Sequence, residues 1–405
     1  MKKYFGSNRP RVVLKKGKAK PFWYRHPWIF SGAVQEVKGE PEDGDVVDVM
    51  DETHRFIGKG FYNSRSQIRV RLLSWDMHEK INDFFFRRKI HQAIFARDVV
   101  LGMRSKTSAY RLVHGEADGL PGLVVDRYNN VLSAQFLSLG MERNKESILE
   151  ILREEANVKT IVERYSAGYR QREGLEEIEY RVHGPTPPEQ LEITEYGLKF
   201  AIHLQKGQKT GFYLDQRENR MEVSRYGHKK KVLDAFCYSG GFGLYLLAKG
   251  KASHVVFMDN SPLALELVQE NLKSNKQDEA NATLCKADIF EKLPQMERGG
   301  EKFDIVILDP PKVSPDKASL EAGIKSLHNL NTTASRMINP GGILVTCDCS
   351  GSIDWEEFLK ILNRCTIDAG RSFRIFHTLG AGPDHPINPA CVENSYLKVV
   401  IGILE

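Results

Sequence analysis

The sequence predicts an α/β protein: a C-terminal domain on a mostly parallel sheet covered by helices on both faces, preceded by a small β-rich module and an α+β middle segment. Three observations carry this reading. Beyond the prolines Pro185, Pro187 and Pro188, strand-length apolar runs alternate with helical runs, the pattern of successive β-α-β crossovers. Up to about Ser74, by contrast, short β-forming runs sit between Gly, Asp and Asn turns. Finally, 405 residues at roughly 150 per domain is chain enough for two to three domains.

The elements follow in order. RVVLKK, WIFSGAV, DVVDVMD, RFIGKGFYN and QIRVRLLS alternate or cluster β-formers and make the first module, residues 1–75. HEKINDFFFRRKIHQAIFARDVVLG has helical apolar spacing. It is followed by strand-like GLVVDRY and VLSAQFLS, a helical NKESILEILREEA and a strand-like TIVERY, which place a mixed domain at 76–190. HGPTPPEQ marks the boundary, because clustered prolines resist both helix and central strand. In 191–405, five strands end at KKVLDAF, HVVFMD, ATLCKAD, FDIVILD and GGILVTCDC, each followed by a helix. SFRIFHTL and YLKVVIGIL bring the sheet to seven strands.

Composition narrows the class. Forty-one per cent apolar and 27% charged residues are globular proportions. No apolar run reaches the roughly 18 residues of a membrane span, and the basic start lacks the apolar stretch of a secretory signal. Six cysteines are too few for a disulfide scaffold in so long a chain, so the expectation is a reducing cytoplasm. The net charge of +5 is unevenly placed: Lys2, Lys3, Arg9, Arg11, Lys15, Lys16, Lys18, Lys20 and Arg25 all precede the first acid, Glu36. A polyanionic partner and a solvated basic arm account for that asymmetry equally well. The sequence admits a homodimer without requiring one.

In an open parallel sheet ligands sit beyond the C-terminal strand ends. The first strand of the C-terminal sheet ends at Asp234, and Ser239, Gly240, Gly241 and Gly243 follow at the turn into a helix, a place where backbone can approach a ligand closely. The dinucleotide fingerprint is broken, since Leu246 stands where its third glycine would be. Asp259 ends the second strand at the distance where a carboxylate accepts both ribose hydroxyls; the alternative is a helix start, with Ser261 and Pro262 opening the next helix. Asp288 ends the third, with Ile289 and Phe290 as an apolar wall for an adenine ring. Asp309 ends the fourth, and Pro310 and Pro311 stiffen the loop beyond it. The fifth ends in Cys347, Asp348, Cys349 and Ser350; a Cys-x-Cys without further clustered Cys or His is a poor zinc site, and no metal is expected.

These motifs resemble the class I S-adenosylmethionine (SAM) dependent methyltransferases that modify RNA bases. More closely, YRHPWIFSGAV, HGEADGLPGLVVDRY, GQKTGFYLDQRENR, DAFCYSGGFG, DPPK, CSGS and DHP resemble, over nearly the whole chain, the bacterial large-subunit rRNA cytosine-5 methyltransferases of the RlmI type. One departure is Asp348, where these relatives more often carry Ser. The resemblance implies an N-terminal PUA domain that binds RNA, a Rossmann-like catalytic domain containing DHP, SAM as cofactor and 23S rRNA as partner. It also implies that Cys349 is the nucleophile and that Asp309 holds the base. Tyr213, Asp215 and Arg217 become cofactor-side contacts, together with Asp234, Ser239, Gly240, Gly241, Asp259, Ser261, Asp288, Ile289 and Asp309; alternatively, the first three only tie the linker to the sheet.

The chemistry explains why a thiol is needed. Carbon 5 of cytosine is a poor nucleophile until a thiolate adds at carbon 6 and turns the ring into an enamine. Around the β module, Trp23, Tyr24, His26 and Arg25 suit stacking and phosphate contact, whereas Trp28 and Phe30 read as core. Two competitors remain: a methyltransferase of a guanine nitrogen, which needs no thiol, and a noncatalytic RNA-binding assembly factor.

Overall fold

The computed structural model describes residues 9–164, 167–176, 180–204, 211–314 and 318–405. Lys2, Lys3 and most of the GQKTG motif lie outside them. The chain divides into two compact units: residues 1–189 with 203–212 and 383–394, and residues 190–202 with 213–382 and 395–405.

The first unit holds two sheets. Strands β1 (Arg11–Leu14), β2 (Trp28–Phe30), β3 (Val34–Lys38), β4 (Val46–Met50), β5 (Phe56–Tyr62) and β6 (Ile68–Ser74) pair in the order β2-β6-β5-β4-β1-β3. All its pairs are antiparallel except β1 with β4, and Val12, Ile29, Val49, Ile57 and Leu72 fill its core. Phe30 is not in that core: it is 47% exposed, past a register shift at the Ile29/Phe30 step that pairs it with Ile68 of β6. Trp28 is half-buried, its indole N–H donating to Glu116 at 2.9 Å.

The second sheet comprises β7 (Ala109–His114), β8 (Leu123–Tyr128), β9 (Val131–Phe136), β10 (Thr160–Glu163) and β11 (Arg181–His183), in the order β11-β10-β9-β8-β7. Helices Asp83–Phe95 and Lys145–Ala156 cover it with Phe85, Phe86, Ile90, Ile148, Leu149 and Leu152; Asn82 caps the first by accepting from the Phe85 N–H. Strand β7 escaped the sequence reading because Arg111 interrupts its apolar run. Asp126 of β8 neutralises that arginine at 2.6 and 3.0 Å.

The DHP segment packs within this first unit. The Asp384 carboxylate accepts the Arg111 N–H at 2.9 Å, and the buried Arg97 donates to the Asp384 carbonyl at 3.0 Å.

The second unit opens with a hairpin, β12 (Gln190–Glu195) and β13 (Leu198–His203), which the sequence reading left unassigned. Its main sheet has the seven expected strands: β14 (Lys231–Ala235), β15 (His254–Asp259), β16 (Ala282–Lys286), β17 (Phe303–Leu308), β18 (Ile338–Asp348), β19 (Phe373–Leu379) and β20 (Lys398–Leu404). Their order is β16-β15-β14-β17-β18-β20-β19. The first five are parallel, and β20 runs antiparallel to both of its neighbours. Strand order reverses on either side of β14, which creates the crevice where such sheets bind ligands. Among the described residues no helix is long and apolar enough to cross a membrane.

Candidate active site

One half of the crevice is built around β14. Asp234 is buried and its carboxylate accepts the Gly243 N–H at 2.8 Å, closing the strand end onto the first turn of helix Gly241–Ala248. Burial pushes this carboxyl up to about 7. The intervening turn is unusual, since Phe236 and Tyr238 both hold left-handed backbone at φ 62° and 47°. Two bonds to β15 hold it there: the Asp259 carboxylate accepts the Tyr238 N–H at 2.9 Å, and Cys237 N–H reaches the Met258 carbonyl at 3.0 Å. Strain kept in place in this way is characteristic of ligand turns. Gly240 has a φ of 76°, and a side chain on Gly243 would stand 2.2 Å from the Phe257 ring, so both glycines are required by the fold itself. The Ser239 hydroxyl is buried in this turn and has no hydrogen-bond partner among the described residues.

Asp259 and Asp288 hold the next two strand ends. The Asp259 carboxylate accepts the Ser261 N–H at 2.9 Å; Ser261, not Asp259, caps the following helix by accepting from Ala264 N–H at 3.3 Å. Asp288 is itself a cap, accepting the Phe290 N–H at 2.9 Å. The Ile289 side chain lies in the core at 3% exposure, on the inward position of that helix's first turn. Phe290 is 43% exposed, with the Phe236 ring edge-on at 5.4 Å.

The other half gathers side chains from distant parts of the chain. Gln216 donates to Asp309 at 3.1 Å and to the Cys347 sulfur at 3.5 Å, while Asn219 donates to Gln216 at 2.6 Å. Cys347 is fully buried; burial first, and the Asp309 charge second, push its thiol well above the ordinary range. Cys349, two residues on and past the end of β18, is half-buried. The Tyr213 ring meets Tyr238 edge-on at 5.4 Å. Burial, then Asp309 and Asp215, raise its phenol, and Cys349 contributes in the same direction, so the tyrosine lies among these groups.

Asp348 is explained by a residue that the sequence reading passed over. It forms a buried ion pair with Lys398 of β20 at 3.1 Å, and Lys398 also donates to the Ser350 carbonyl at 3.1 Å. Asp215 is buried and accepts the Tyr396 hydroxyl at 2.5 Å. Arg217 is fully buried beside Glu218 at 3.3 Å. For these two the structure displays the tie to the surrounding fold. Arg220, also missed, forms a buried fork with Glu195 of the hairpin at 2.9 Å per arm and donates to the Tyr213 carbonyl at 3.0 Å. The spacing of Arg217 and Arg220 in an otherwise polar helix was the available signal for an inward charged face.

Comparison with known proteins agrees with this architecture. A PUA-like domain family matches residues 12–75, and the S-adenosylmethionine-dependent methyltransferase family matches residues 141–397. The chain is 40% identical over 390 residues to ribosomal RNA large subunit methyltransferase I of Aeromonas salmonicida, covering 96% of this chain and 98% of the relative. It is equally similar, over 391 residues, to the protein of the same name from Tolumonas auensis. Among solved structures, a Streptococcus mutans protein assigned as a SAM-dependent methyltransferase superposes with a TM-score of 0.82 at 20% identity, over 97% of this chain and 99% of that one. Another assigned methyltransferase, solved with SAH, gives 0.84 at 20% identity, with the same coverage. With a PUA-like domain ahead of a SAM-binding sheet, the chain belongs to the ribosomal RNA large subunit methyltransferase I family of SAM-dependent enzymes.

Proposed function

We propose that this enzyme methylates carbon 5 of a cytosine in 23S rRNA in the cytoplasm, through a covalent adduct to Cys349. We also propose that the work is divided among a PUA-like module at 1–75, a central domain at 76–190 and a catalytic domain at 191–405. The observation that carries the chemistry is the contrast between the two thiols at the β18 end. Cys347 is sealed in the core, where burial and Asp309 push its thiol well above the ordinary range, whereas Cys349 is half-buried and acts on the Tyr213 phenol.

The donor set suits SAM. Asp259 keeps unused lone pairs for ribose hydroxyls, Asp288 has a second oxygen to accept from an adenine amino group, and Phe290 with Phe236 offers the ring a wall. The buried Ser239 hydroxyl and the Gly240–Gly241 backbone face the remaining polar part. Bound SAM supplies an electrophilic methyl group. Cys349, as thiolate, would add to carbon 6 and make carbon 5 nucleophilic; carbon 5 would take the methyl group as the methyl–sulfonium bond breaks and leaves a neutral thioether, then lose its proton to a base while the carbon–sulfur bond to Cys349 breaks to release the thiolate. Asp309, held by Gln216, accepts from the exocyclic amino group and fixes the ring while charge develops. Exposed Lys15, Lys16, Lys18 and Lys20 support RNA as the partner.

RNA carrying 5-fluorocytosine tests this reading, because fluorine cannot leave as a cation. The wild-type enzyme and Cys347→Ala should form an adduct stable to denaturing electrophoresis, and Cys349→Ala should bind SAM normally, trap nothing and transfer no methyl group. Full activity in Cys349→Ala would replace the proposal with nitrogen methylation. Trapping by Cys349→Ala but not by Cys347→Ala would move the nucleophile to Cys347.

A further inference from the structure

Within the first unit a cleft of about 620 Å³ opens between β6, the helix Asp83–Phe95 and the segment around Asn388. That volume is in the range of sites for small organic ligands, roughly 300–1,000 Å³. Four acids line it, and three are engaged elsewhere by cations. Asp118 forms a fork with the buried Arg97 at 2.6 and 2.9 Å; Glu116 is held by the Trp28 indole and by Arg71 at 3.6 Å; Glu79 pairs with Arg88. The fourth, exposed Asp76, accepts the His78 N–H at 2.9 Å.

The two lining cations are differently placed. Among the described residues, neither Arg25 nor Lys89 makes a side-chain hydrogen bond or ion pair; their recorded partners are ring faces, Trp75 at 5.5 Å and Phe85 at 5.8 Å. Burial and the neighbouring Arg88 lower the Lys89 ammonium below its ordinary range, a cost that an incoming anion relieves. Arg25 is held at φ 69°, a left-handed backbone that a long side chain seldom adopts, and this conformation accompanies its place over the Trp75 indole. The indole is itself fixed, donating to the Phe22 carbonyl at 2.9 Å. Gln92 adds an exposed amide at the rim.

An oriented aromatic-guanidinium stack, an amide and two cations that make no ion pair among the described residues, Glu79 and Asp118 acting on Lys89 only through space, are the components that hold a single unpaired nucleotide. We propose that this cleft is a second RNA subsite. It takes one nucleotide outside the methylated position, with its base on the Arg25–Trp75 stack and its phosphate on Lys89 and Arg25. The proposal rests on the reading that the enzyme binds RNA.

The test uses the full-length enzyme and an rRNA fragment containing 4-thiouridine, measuring affinity against salt and mapping photocrosslinks by mass spectrometry. Arg25→Gln/Lys89→Gln should bind the fragment about tenfold more weakly and lose roughly one to two units of salt slope, with SAM affinity unchanged. Wild-type enzyme should crosslink at Trp75 or Gln92, and Trp75→Leu should lose the Trp75 crosslink. Wild-type RNA binding with an unaltered affinity in the double variant, or with crosslinks confined elsewhere, overturns the subsite and leaves the RNA reading standing. No binding of the fragment by the wild-type enzyme overturns both.

Discussion

The two halves of the crevice solve the same problem by opposite means. On the cofactor side, Asp234, Asp259 and Asp288 each accept backbone N–H groups close in space to the strand ends that carry them: Gly243, Tyr238 with Ser261, and Phe290. On the substrate side, Asp309, Cys347 and Asp348 are held by the side chains of Gln216 and Lys398, which come from other elements. Backbone N–H donors are available to any acceptor in the right turn, so a change of charge in the first half should be tolerated. The second half depends on specific partners, and removing one leaves the other stranded.

The largest expected effect breaks the substrate side. Lys398→Met leaves Asp348 buried without its cation and should lower stability by about 3–5 kcal/mol in urea denaturation. Adding Asp348→Ser should recover most of that loss, since a neutral hydroxyl can still accept the Ser350 N–H that Asp348 holds at 3.0 Å.

On the cofactor side the test is one of pH. The Asp234 carboxyl titrates at about 7 in the folded protein and at 3.8 without its surroundings. The folded state therefore holds the extra proton between those values, and the stability that this contributes is present below about pH 4 and lost as pH rises towards 7. Asp234→Asn keeps an acceptor for Gly243 and does not titrate, so its stability should lack this decline, a difference of up to roughly 4 kcal/mol across the window. Equal pH slopes for the two proteins would show that the Asp234 carboxyl is not held protonated.

Smaller effects separate binding from chemistry. Asp259→Ala should weaken SAM binding ten- to hundredfold by calorimetry, about 1.5–3 kcal/mol, as expected for loss of a charged acceptor. Unchanged affinity would remove Asp259 from the ribose site. Gln216→Leu should lower kcat roughly tenfold with SAM affinity intact, because Asp309 loses a donor worth about 1–2 kcal/mol. An effect on SAM affinity instead would mean that the two halves are not separable.

Much of the architecture was legible because it rests on short-range pattern. Seven apolar runs with intervening helical periodicity specify a covered sheet, and the acids that follow them fall at strand ends by the same alternation. The residues that escaped attention have partners far along the chain. Arg111 made β7 look unlike a strand until Asp126 lay beside it, Arg220 needed Glu195 of an unassigned hairpin, and Asp348 looked out of place until Lys398 was opposite. The burial of Ile289 was hidden for a related reason: its position next to Asp288 says nothing about which way the first turn of a helix faces.

Thus the chain's own order determined the class of sheet, the strand-end carboxylates and the pair of thiols, since these follow from periodicity and from the chemistry of single residues. Which thiol is sealed in the core, which acids are neutralised and by whom, and what the DHP segment packs against were decided by the tertiary structure. Burial and ion pairing are properties of neighbours that meet only when the chain folds, and a difference of two residues, from Cys347 to Cys349, crosses from sealed core to a half-buried position.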